Sequence, residues 1–242
     1  MPSPSPEKGT PVGDTIVEEQ YLDDLTRKVS KFLQLKKQGS LLTFGGRHWR
    51  FGKLIAKSAD AKTLVYADDN RESLREAEAD EDDQVLTVEC DMNETDQITT
   101  LGKYDGILMK EVLERVHDLD TLFAALYKIL KLTSRAIFIA RLRPTLPLPP
   151  RIKERWMTAT PEFGVVRTTA ERHDFTVEQQ MISYPVTVSK SDWANALAER
   201  CLPFSSDLKD SEIDEFMTGL EGESIEFEDE IQLIALIKDI QD

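Results

Sequence analysis

Cysteine is nearly absent: Cys90 and Cys201 are the whole complement of this 242-residue chain. Two thiols cannot build a disulfide framework, and no Cys or His spacing fits zinc, so no metal is expected. Basic charge is also scarce. Lys and Arg number 30 against 45 Asp and Glu, a formal net charge of −15. So acidic a chain is not a generic nucleic-acid binder, because phosphate recognition needs basic surface. Nor does it suit broad adhesion to anionic membranes. No apolar run approaches the ~18 residues that span a bilayer. The opening MPSPSPEKGTPVGD has no apolar core and is no signal peptide. The chain therefore reads as a soluble cytoplasmic protein, with neither nucleic acid nor membrane among its partners.

What is present is globular in proportion, and the length suits one medium domain with a core of useful size. Residues 1–14 are rich in Pro, Ser and Gly and are predicted to be a disordered tail. Ser3-Pro4, Ser5-Pro6 and Thr10-Pro11 match proline-directed phosphorylation sites, although a solvated tail explains them more simply. The remainder, 15–242, is predicted to be one domain with a linker at about 143–150.

Leu22, Leu25, Val29, Phe32 and Leu33 recur at helical spacing, which predicts a helix over 17–37 closed by Gly39. Short apolar strands follow at 41–44, 63–67, 85–89, 106–109 and 136–140. Helices are predicted between them at 50–58, 71–78 and 118–131. That alternation implies an α/β fold with a mainly parallel, doubly wound sheet. The ligand crevice then lies at the carboxyl ends of the strands. The proline-rich 144–150 is predicted to be an extended linker. Beyond it come a strand at 175–184 ended by Pro185, a helix at 193–200 capped by Ser189, a helix at 210–220 and a last strand at 225–237. A terminal antiparallel hairpin on the parallel sheet fits this ending.

The order strand, glycine loop, helix, then two strands each followed by an acid, then YDGILMKEVLERVHD, resembles the class I S-adenosylmethionine-dependent methyltransferases, nearest to the type 11 group. The resemblance covers 41–140 well and 175–238 more loosely. It implies a Rossmann-like fold with S-adenosylmethionine as cofactor. Gly45 and Gly46 fall in the glycine loop. Asp68, with Asp69 beside it, falls where the family's acid holds the cofactor ribose, a task suited to a carboxylate accepting from two vicinal hydroxyls. Asp91, with Met92 beside it, falls where the family's acid takes the adenine amino group. Tyr104-Asp105 fits the start of the fourth strand. Arg115 stands where the family carries His. Acids are so abundant over 68–96 that Asp68 and Asp91 also have a chance reading.

The glycine loop departs from the family pattern of acid-x-Gly-x-Gly-x-Gly. Thr43 replaces the acid, Gly45 is kept, and Arg47 and Trp49 replace the second and third glycines. Side chains there take space that ligand would need. The glycine turn before the fifth strand is missing too, since 131–135 reads KLTSR. These departures imply a methyltransferase-like protein with a degenerate cofactor site: a pseudoenzyme acting as a binding or regulatory subunit, with a small molecule or a protein such as an active relative as partner. The retained acids support the alternative, an active methyltransferase on a small molecule. No residue stands out as a catalytic base.

Other features are weaker. His48 lies in the glycine loop, His117 and His173 are scattered, and Trp49 reads as packing. The segment 141–155 holds Arg141, Arg143, Arg151, Lys153 and Arg155 against one acid, Glu154. It reads as a solvated face or as a contact for an anionic substrate or acidic partner. Arg141-x-x-Pro144-x-x-Pro147 also matches a ligand pattern of proline-recognising domains.

Overall fold

The computed structural model describes residues 17–45, 49–79, 85–200 and 202–239. The tail 1–14, Gly46, Arg47, His48 and Cys201 lie outside them. The elements run α1 (Leu22–Leu33), β1 (Ser40–Phe44), α2 (Trp49–Ser58), β2 (Thr63–Asp68), α3 (Arg71–Glu78), β3 (Val85–Glu89), α4 (Thr95–Thr100) and β4 (Tyr104–Lys110). A 3-10 turn, Leu113–Arg115, then leads to α5 (Leu119–Ile129) and β5 (Leu130–Ala140). The last elements are α6 (Pro150–Ala159), α7 (Phe163–Arg172), β6 (Thr176–Ser189), α8 (Lys190–Ala198), α9 (Asp210–Gly219) and β7 (Ser224–Lys238).

The strand order is β3-β2-β1-β4-β5-β7-β6. β1 to β5 are mutually parallel, and β7 pairs antiparallel with β5. The expected mainly parallel sheet with an antiparallel ending is therefore observed. Chain order reverses between β1 and β4, which makes their carboxyl ends the switch point where such sheets hold ligands.

The chain divides into two compact units. One comprises the described residues of 23–142, with 160–182 and 231–239. Its main core holds Leu42, Phe44, Ile107, Met109, Phe138, Ile234 and Leu236 from the sheet, with Phe123 and Leu126 from α5 and Val166 and Ala170 from α7. Alternate residues of a strand point to one face, so these set one side of the sheet. Asp105 secures the opposite ends of the strands from the switch point. It accepts from the Ser40 N–H and hydroxyl, both at 2.9 Å, and from Lys131 at 2.7 Å. Burial pushes its carboxyl up, but these bonds more than reverse that and hold it below the ordinary carboxylate range.

The other unit comprises, among the described residues, 17–22, 143–159 and the described part of 183–230. Trp193 is fully buried there and donates to the Pro147 carbonyl at 2.8 Å. Tyr21 stacks on Tyr184 with ring centroids 4.1 Å apart, and its hydroxyl donates to the buried Asp229. Ser189 caps α8 by accepting from the Asp192 N–H at 3.1 Å, as its sequence position predicts. Ser189→Ala should lower stability by about 1 kcal/mol in urea unfolding. A change below ~0.3 kcal/mol would mean the cap is not stabilising.

Several sequence expectations need correction. α1 ends at Leu33, and Gln34, not Gly39, takes the left-handed position after it, with φ 52°. Gly39 is needed for a different reason: a Cβ there would meet the Lys36 carbonyl oxygen at 2.7 Å. Pro185 does not end its strand. β6 is the outermost strand of the sheet, where a missing N–H is tolerated. β5 begins at Leu130, within the expected helix, and Thr133, in the segment where the resemblance implies a glycine turn, adopts φ 58°. Pro150 opens α6, since a first-turn proline has no N–H to lose. The helices α6 and α7 were not expected. The buried stripe of α6 is only Ile152 and Trp156, and that of α7 only Val166, Thr169 and Ala170, too little for periodicity to register.

Candidate functional site

At the carboxyl end of β1, Gly45 has φ 49° and donates to the Ala67 carbonyl at 2.8 Å. The left-handed backbone suits glycine, and the space above it is already narrow. A Cβ there would lie 3.3 Å from Met92 Cε and 3.7 Å from Arg115 Nη1. Met92 comes from the loop after β3, and Arg115 ends the 3-10 turn after β4. Side chains from both halves of the sheet thus converge on Gly45.

The two acids at the carboxyl end of β2 differ completely in environment. Asp68 is 3% exposed, and both its oxygens are occupied. The Tyr66 hydroxyl donates to Oδ2, and the Asn70 N–H donates to Oδ1 at 3.0 Å. Tyr66 is also hydrogen-bonded to Ser73 at 2.6 Å. Asn70 in turn caps α3, accepting from the N–H groups of Glu72 and Ser73. Asp68 therefore ties strand to helix. Asp69 is at the surface, and its partner is Arg115, Nη2 to Oδ1 at 3.4 Å.

Asp91 lies in the loop after β3. Its Oδ1 accepts from the Asn93 N–H at 2.8 Å and from the Asn93 side chain at 3.3 Å. Asn93 then reaches across to the segment after β4. It donates to the Arg115 carbonyl at 3.3 Å and accepts from the His117 N–H at 2.9 Å. Sequence reading missed this residue. Its only signal is Asp91-x-Asn93, a local turn pattern that says nothing of the bridge to 115–117. Cys90 precedes Asp91 and is buried, and burial, with Asp91 and Asp69 nearby, pushes its thiol up to about 11.

Beside this crevice, β4 and β5 end in a charged cluster. Lys110 and Glu111 end β4 and begin its following loop, and Arg141 follows β5; all three are buried. Arg141 donates to Glu111 at 2.6 Å. Glu111 has φ 50°, a strained value for a side-chain residue. Burial raises the neighbouring Glu114 carboxyl above its ordinary value, against the opposite pull of its own backbone N–H, Arg115, Lys110 and Arg141.

Comparison with family models and with curated proteins gives no match. Solved structures do match. The YcgJ protein of Bacillus subtilis superposes with a TM-score of 0.63 at 12% identity, over 90% of this chain and 100% of that one. A geranyl diphosphate methyltransferase in complex with S-adenosylmethionine gives 0.57 at 13% identity, over 97% and 92%. The phosphoethanolamine N-methyltransferase 2 of Haemonchus contortus gives 0.58 at 13%, over 96% of this chain and 58% of that one. The fold is that of the class I S-adenosylmethionine-dependent methyltransferases.

In this methyltransferase fold, Gly45, Asp68 and Asp91 do fall at the carboxyl ends of the first three strands. Thr43, where the resemblance implies an acid, is 1% exposed and packs on Gly52 of α2, with 3.0 Å from its Cγ2 to where a Cβ would stand. Trp49 is buried with Tyr66, Leu74 and Ala77, the packing role expected for it. The basic segment divides among ion pairs. Arg141 is buried on Glu111, Arg151 pairs with Asp207 and Glu212, and Arg155 pairs with Asp207. Pro144 is buried, as are Leu146 and Leu148, so the proline pattern is not displayed as a free ligand. Among the described residues, no group of three or more His, Cys, Asp or Glu is arranged to hold a metal ion. No helix among them is long and apolar enough to cross a membrane.

Proposed function

We propose that the chain is a non-catalytic, type 11-like member of the methyltransferase group, a cytoplasmic binding or regulatory subunit whose partner is a small molecule or an active relative. The observation that carries the reading is the Arg115 guanidinium standing over Gly45, paired with Asp69. These residues do not fit a sulfonium cofactor well. Two like unit charges about 6 Å apart at an effective dielectric of ~20 repel by ~3 kcal/mol, roughly a hundredfold in affinity, before the partial relief that Asp69 gives. Asp68 supports the same reading, since its oxygens already have donors and it is buried.

The alternative, an active methyltransferase on a small molecule, draws its support from Asp69 and Asp91 at the ends of adjacent strands. Calorimetric titration of the full chain with S-adenosylmethionine separates the two. The expected result is no binding, or a Kd above about 100 μM, roughly −5.5 kcal/mol or weaker. A Kd in the low micromolar range or tighter sinks the non-catalytic reading.

A further inference from the structure

β6 is the outermost strand of the sheet, so one of its edges carries no further strand among the described residues. A long bare edge invites pairing with another chain, and proteins commonly block such edges. The second half of this edge is blocked twice. Pro185 has no N–H to offer. The Gln20 side chain occupies Thr187, donating to its carbonyl at 2.9 Å and accepting from its N–H at 3.3 Å. The first half carries neither device. Residues 176 and 178–181 are exposed there, Met181 to 59%.

Strand geometry fixes which groups this half presents. Both backbone groups of Thr187 go to Gln20, so Thr187 faces away from β7. The two-residue period of a strand then turns the backbone groups of Val177, Gln179 and Met181 outward as well. The stretch is also nearly free of charge. On a chain of net −15, residues 176–182 read TVEQQMI and hold one acid, Glu178, to which Arg135 donates at 2.6 Å. It is complementary to itself. Laid antiparallel on a second copy about Gln179, Val177 meets Met181 and Gln179 meets its own counterpart. Those pairs are apolar with apolar and amide with amide, and Glu178 falls opposite Gln180 rather than another acid. Registers shifted toward the end of β6 run into Pro185 or the occupied Thr187 and lose hydrogen bonds.

We propose that this stretch of β6 joins two copies of the chain edge to edge, antiparallel about a two-fold axis at Gln179. The same patch serves both copies, and each outward pair exchanges both of its backbone hydrogen bonds. The contact is small, so the dimer is weak and reversible. It forms whether or not the crevice accepts a cofactor.

Sedimentation velocity of the full chain should show a monomer–dimer equilibrium with a Kd of about 100 μM or tighter. Raising the salt concentration should tighten it, because screening weakens the repulsion between two chains of −15 each. Gln179→Lys and Gln179→Glu each place like charges opposite one another at the axis, and each should weaken the dimer about tenfold or more. An equimolar mixture of the two should return to within about threefold of the native affinity, since opposite charges then face each other. Amide hydrogen exchange of the native chain is a second measurement that needs no variant. The N–H groups of Val177, Gln179 and Met181 should slow as the concentration rises, while those of Glu178 and Gln180, turned toward β7, should not change. Where a variant shifts the urea midpoint, the exchange result decides. A chain that stays monomeric at about 500 μM overturns the proposal. So does a dimer that both Gln179 variants leave intact, a mixture no tighter than either variant alone, or exchange that slows elsewhere but not at these three residues.

Discussion

Arg141→Met is expected to destabilise the protein by about 3–5 kcal/mol, the usual consequence of removing one member of a buried ion pair. Arg141 and Glu111 are 3% and 5% exposed at their side chains and 2.6 Å apart. Taking away the guanidinium leaves the Glu111 carboxylate in a site that water does not reach. Glu111 already sits at a strained φ of 50°, so it has little freedom to turn outward. Adding Glu111→Gln to Arg141→Met should recover more than half of the loss. Two neutral side chains of similar size carry no desolvation penalty for charge. Urea unfolding of both single variants and the double variant measures this directly. A loss below about 1 kcal/mol for Arg141→Met would show that water or another cation compensates Glu111.

The second large effect is at Asp68. Asp68→Ala should reduce stability by about 2–3 kcal/mol in the absence of any ligand, since hydrogen bonds to a charged acceptor contribute ~1.5–3 kcal/mol. The Tyr66 hydroxyl and the Asn70 N–H would both lose their acceptor, and α3 would lose its tie to β2. Asp69→Ala, at the surface, should stay within about 0.5 kcal/mol of the native chain. The contrast decides which of the adjacent acids holds the fold and which is available to a ligand. If Asp68→Ala unfolds at the native midpoint, its hydrogen bonds are not stabilising, and the ligand role implied by the family resemblance returns to Asp68.

The two acids also show where sequence stops. Residues 66–70 read Tyr-Ala-Asp-Asp-Asn, and the position of Asp68 two residues before the helix cap is legible from the resemblance. Which of Asp68 and Asp69 turns inward is not. That depends on Tyr66, two residues earlier on the same strand face, having its hydroxyl under the start of α3. Met92 was legible as a neighbour of Asp91, but its contact over Gly45 comes from the loop path after β3.

By itself the sequence determined the parallel sheet, because runs such as 63–67 and 136–140 are apolar on both faces and short enough only for buried strands. It also determined the α8 cap at Ser189, because capping is a contact between residues three apart. Only the tertiary structure decided that β5 begins at Leu130. There, pairing with β4 through a register shift outweighs the helical pattern of 118–131. It also decided that Arg141 is a buried partner of Glu111 rather than part of a basic surface, and that Arg115 covers Gly45. These contacts join segments 30 and about 70 residues apart. Charge and spacing along the chain fix what a side chain can pair with. Which partner it meets is set by the parallel crossovers, which bring the loops after β1, β2, β4 and β5 to one edge of the sheet.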